Sequence, residues 1–137
     1  MKMNGLCLCA IVFAATAGDA GAHGSRHDQI DAITRSMERD GRTSILMLRR
    51  SELHRKHRDW SAALADHHDA ARLDPGNREI DLARARLAVD RALLGDALVA
   101  LNRYLAAMPL SEVALALRAD IYDRTGRPTD AATDYAA

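Results

Sequence analysis

The sequence predicts an all-α fold, a solenoid of stacked helical hairpins, and three observations carry that expectation. Arg50, Arg84 and Arg118 stand 34 residues apart, and so do Ala63, Ala97 and Ala131. Alanine is abundant after residue 61 while aromatic residues make up 4% of the chain, a composition that favours helices able to approach one another closely. Apolar residues recur at helical steps between turns marked by Pro75, Pro109 and Gly126. A unit of this length cannot bury a core alone, so successive units must stack.

The chain begins with a different pattern. Lys2 supplies a positive start, residues 6–15 form an apolar run of ten, and Ala20, Gly21 and Ala22 are small residues before His23. That order reads as a secretory signal cut after Ala22, because about 20 apolar residues are needed to span a bilayer. The expected location is periplasmic or secreted, with no integral span after cleavage. Cys7 and Cys9 both lie in the apolar run, which leaves the mature chain without thiol or disulfide chemistry.

Residues 23–43 read as a linker and a leading helix. Ile30, Ile33 and Met37 fall on one face of a helix over 28–37, with Asp28 as its cap and Gly41 as its end. A second helix is expected over 45–57, opened by Thr43 or Ser44. A third starts at Trp60 and places Ala63, Leu64, His67, Ala70 and Ala71 on one side. Pro75 and Gly76 then reverse the chain, the glycine through a left-handed conformation. The pattern returns as Ile80, Leu82, Arg84 and Leu87, then Leu94, Ala97, Leu98 and Leu101, then Pro109. A third copy has Ala114, Arg118, Ile121, Gly126, Ala131 and Tyr135. The units are 44–77, 78–111 and a shorter 112–137.

These features resemble the tetratricopeptide repeat (TPR). The most specific stretch is residues 58–66 followed by Ala70 and Pro75, with Gly126, Ala131 and Tyr135 matching the family's turn glycine, small residue and aromatic. Arg58 and Ala92 stand where that glycine is absent; Ser51, Ala85 and Ala119 stand at a small-residue site of the first helix. The resemblance implies a right-handed solenoid, with the leading helix as its N-terminal cap, that binds a protein or peptide partner.

Composition excludes other classes. Nineteen basic and nineteen acidic residues give a formal net charge of zero, without the excess of cations on which nucleic-acid affinity rests. Neither a phosphate loop nor a nucleophile motif is present, so neither catalysis nor a cofactor is expected. By the resemblance, the inward faces of the first helices form a groove lined by Leu48, Glu52, Arg55 and Lys56, then Leu82, Arg86, Val89 and Asp90, then Asp120, Asp123 and Arg124. Ile45 is a further candidate on the same face. Charges of both signs and the lack of asparagine argue against the Lys and Asn clamp that some TPR domains use for carboxylate tails.

The three arginines invite two readings, as hooks for an anion or as partners of internal carboxylates. Asp66 and Asp134 lie 16 residues after Arg50 and Arg118, and favour the second, while Ala100 interrupts it after Arg84. His54, His57, His67 and His68 suggest a metal-binding protein as the alternative function, although His54 and His67 fit better as a hydrogen-bonded core pair. His23, if exposed as a terminus, offers copper an amine and an imidazole with His27 nearby. At the far end, a last helix of at most nine residues is expected to leave Leu115, Leu117, Ile121 and Tyr135 in water. Self-association through that repeat, or membership in a longer array, follows as an expectation.

Overall fold

The computed structural model describes the backbone of residues 20–137 and the side chains from His27 onward. The apolar run of residues 6–15, and most of the expected signal, lie outside the described residues. Seven helices follow in order: α1 (Ala20–Asp40), α2 (Ser44–Lys56), α3 (Trp60–Leu73), α4 (Glu79–Asp90), α5 (Leu94–Ala107), α6 (Glu112–Arg124) and α7 (Pro128–Tyr135). No strand occurs among the described residues. The closest packing joins α2 to α3, α4 to α5 and α6 to α7, and each hairpin leans on the next. The result is an all-α solenoid.

Each hairpin closes at small residues. Ala63, Ala97 and Ala131 are 0%, 0% and 1% exposed, and Ser51, Ala85 and Ala119 on the facing helices are equally buried. A larger side chain at any of these sites would push the two helices apart, against the close packing of protein interiors. The core divides into two clusters. Met37, Met47, Ala70 and Ile80 cluster across α1 to α4, and Leu82, Leu101, Tyr104, Leu105, Leu115 and Ile121 are among those that cluster across α4 to α6.

The turn inside each hairpin repeats in backbone detail. Asp59, Leu93 and Arg127 donate their amides to the carbonyls of His54, Ala88 and Tyr122 at 2.8–2.9 Å. Arg58, Ala92 and Gly126 donate to Arg55, Val89 and Asp123. These paired bonds are the Schellman closure of a helix, which holds the residue after the cap in the left-handed region. Arg58 (φ 61°), Ala92 (φ 58°) and Gly126 (φ 72°) all adopt it. Two units thus keep the TPR turn without its glycine, at the cost of local strain.

Several expectations about the elements need correction. The leading helix is not confined to 28–37 and Asp28 is not its cap; α1 runs from Ala20, since no proline or turn sequence interrupts it. It does end at Gly41, whose φ is 97°. Gly76 does not take a left-handed conformation; the α3–α4 connection is instead held by Asn77, whose amide reaches Ser44 Oγ at 2.8 Å and whose Oδ1 accepts the Glu79 amide at 3.1 Å. At the far end the last repeat is less open to water than its length suggests, because Leu115 and Ile121 join the core shared with α4 and α5. Leu115 and Ile121 are buried and Leu117 is half-buried, while Tyr135 is exposed. On the other side α7 docks on α6 through the buried Ala131 and Asp134, the latter held by Arg118.

Candidate functional site

An open groove of about 1050 Å³ lies between α1, α2 and the α3–α4 connection. Ile33 enters from α1, while Ile45, Leu48, Arg49 and Glu52 enter from successive turns of α2. Arg78 and Glu79 line it from the start of α4. The start of α2, which carries Ile45 into the groove, is fixed by its cap. Thr43 Oγ1 accepts the Leu46 amide at 3.2 Å, which caps the helix start, a contact typically worth about 1 kcal/mol. Ile45 remains 59% exposed on the groove wall, an apolar side chain whose burial by a partner is favourable.

Of the candidate groove residues, Leu48 and Glu52 line this space. The rest divide. Arg55 holds Glu52 with two bonds of 2.8 Å and also pairs with Asp90 on α4, which ties the first two hairpins together. Proximity to those carboxylates raises the Arg55 pKa, and the Arg55 guanidinium holds Glu52 below the usual carboxylate range. Lys56 is exposed beside Glu52 at 3.7 Å. Leu82 is not a groove residue: its side chain is 4% exposed and packs in the core beneath α5 and α6. Val89 is packed against that same core, and Arg86 is half-buried. Asp120 pairs with Arg124 at 3.3 Å, and Asp123 accepts the Tyr135 hydroxyl at 3.4 Å. The groove therefore takes one wall from α1, which sequence spacing assigned only a covering role.

The arginine triplet resolves into two kinds. Arg50 gives Nε and Nη2 to Asp66 at 3.0 and 2.6 Å and Nη1 to Thr34 on α1 at 3.1 Å. Arg118 repeats this with Asp134 at 2.7 and 2.6 Å and Asn102 on α5 at 2.8 Å. Each fork binds its own second helix and the helix before it, so it spans three helices at once. Thr34 and Asn102 stand two periods apart, which gives α1 the position of a second helix belonging to a preceding hairpin. The carboxylate partners raise the pKa of both arginines.

The histidines do not form the expected pair. His67 is 3% exposed with no hydrogen-bond partner at Nδ1, while His54 faces Asp59 and Asp66 at 3.8 and 4.0 Å. Burial, with Arg84 nearby, lowers the His67 pKa to about 4, so this imidazole is neutral at physiological pH. His68 is exposed, and the His57 ring lies 5.5 Å from that of His27. Among the described residues no group of three or more His, Cys, Asp or Glu is placed to hold a metal ion. No helix among them is long and apolar enough to cross a membrane.

A tetratricopeptide repeat protein from Parabacteroides merdae has a similar structure, with a TM-score of 0.70 at 17% sequence identity. The likeness covers 82% of this chain and 44% of that protein, so this chain spans under half of its length. No protein-family model and no curated protein matches the sequence. The fold is that of the tetratricopeptide repeat, as the 34-residue spacing and the turn chemistry implied.

Proposed function

We propose that this chain is a non-enzymatic scaffold that holds a protein or peptide partner in the groove between α1 and α2. The observation that carries the reading is the groove itself, with Ile33, Ile45 and Leu48 as apolar walls and Arg49, Glu52, Arg78 and Glu79 around them. An apolar floor with charges of both signs suits an amphipathic helix or an extended segment bound by shape. A photo-crosslinking side chain at position 45 should trap a partner that the same group at Leu110, also exposed but outside the groove lining, does not. Equal labelling from both positions would remove the groove from the function.

Export is part of the same reading. It is supported by Lys2, the apolar run of residues 6–15 and the small residues before His23. Cleavage after Ala22 would remove only the first three residues of α1, leaving the groove wall intact. Cell fractionation with N-terminal sequencing tests this, and an uncleaved cytosolic chain would refute it. The metal-binding alternative, with His54, His57, His67 and His68, has its own measurement: thermal melts with zinc or copper should then shift upward, and the shift should disappear in His54→Ala and His67→Ala. Self-association through α6 and α7, where Val113 and Tyr135 are exposed, would show as a dimer mass in light scattering.

A further inference from the structure

The middle arginine of the triplet lacks the partner its two counterparts have. Position 100, one period after Asp66 and one before Asp134, is alanine. Arg84 makes no hydrogen bond; its nearest carboxylate oxygen, Asp81 Oδ1, is 3.8 Å away and is shared with Arg103 at 3.1 Å. Its side chain is 33% exposed, against 17% and 20% for Arg50 and Arg118. Beside Ala100 a pocket of about 310 Å³ opens, with Arg84, Arg91 and Arg103 as its cations, Asp96 as its acidic group, and Leu87 and Val99 on its apolar wall. Cations outnumber acids in its lining. The pocket shares no residue with the groove between α1 and α2.

We propose that this pocket binds the carboxylate of a ligand, which stands where repeats one and three place Asp66 and Asp134, with a short branched apolar group lying against Leu87 and Val99. A guanidinium fork recognises a carboxylate through two parallel charge-assisted bonds. The first and third repeats show that this register brings a carboxylate within 2.6–3.0 Å of the arginine at both oxygens. The ligand is either a free carboxylic acid or the C-terminus of another chain, and the chemistry at Arg84 is the same for both.

N-acetylleucine, a short peptide ending in leucine with a free carboxylate, and the same peptide amidated are the probes, titrated into the full chain and followed at the Arg84 side chain by NMR. Both acids should shift the Arg84 Nε–H signal, and the amide should bind about tenfold more weakly, the loss expected of one charge-assisted pair. A peptide that binds more tightly than N-acetylleucine identifies a chain terminus as the source; equal affinities identify a free acid. Ala100→Asp should fill the site from within and abolish binding of both acids, and Arg84→Gln, followed at the backbone amides of Val99 and Ala100 on the pocket wall, should do the same. If Ala100→Asp lowers helix content, Arg84→Gln decides alone. An amide that binds as well as the acid, or acids that bind undiminished to a folded variant, would overturn the proposal. Its failure would leave the groove reading untouched.

Discussion

Ala92 is a clear case of a residue held in a conformation its side chain resists. With φ at 58° in a turn where the third repeat has Gly126, Ala92→Gly should stabilise the fold by about 1 kcal/mol, read as a shift in the urea midpoint. Arg58→Gly should gain less, because Arg58 also stacks over the Trp60 ring at 5.8 Å. His67 makes the second prediction at this scale. Its pKa falls from 6.5 to about 4 on folding, so below pH 6.5 the unfolded chain takes up a proton that the folded chain does not. Stability is then complete above pH 6.5 and is lost as pH falls toward 4, by an amount on the order of 3 kcal/mol. His67→Phe should remove that slope and, by deleting the unpartnered Nδ1, leave the protein at least as stable at pH 7.

At the scale of the helix pair, the arginine forks fix how α2 and α6 sit against their neighbours. Asp66 is 3% exposed beside an Arg50 that is itself largely buried. Asp66→Ala should therefore cost about 3 kcal/mol in denaturant unfolding, since it leaves a charge without its partner. The double variant Arg50→Met with Asp66→Leu should recover most of that loss, because two apolar groups need no pairing. A double-variant loss equal to the sum of the losses of Arg50→Met and Asp66→Leu alone would mean that the fork does not act as a unit.

Across the whole molecule the stability is unevenly spread. The larger core cluster lies in α4, α5 and α6, whereas α1 packs chiefly on α2 and α7 chiefly on α6, at the two ends of the stack. Hydrogen exchange should therefore be slowest in α4 and α5 and fastest in α1 and α7, the order expected of a stack that opens from its ends. Uniform protection along all seven helices would contradict it.

The period of 34 residues, the small residues at 63, 97 and 131, and the pairing of Arg50 with Asp66 and Arg118 with Asp134 were all legible in the sequence. They are repeated at fixed intervals, and a local register carries them into space unchanged. The left-handed turns at Arg58 and Ala92 were not legible as such, because the Schellman bonds and the stacked hairpins impose a conformation the residue type does not announce. Leu82 looked like a groove residue because spacing along one helix cannot tell the concave face from the core under the next hairpin. His54 and His67 looked like a pair because both occupy places where the repeat carries packing aromatics, yet His54 lies beside Asp59 and Asp66 while His67 Nδ1 has no hydrogen-bond partner. The sequence by itself determined the repeat, the hairpin and the alternation of buried positions, which depend on neighbours close along the chain. Only the tertiary structure decided that α1 forms a wall of the groove and that Ala100 leaves a pocket beside Arg84, because both arise where separate helices meet and the space between them is set by packing.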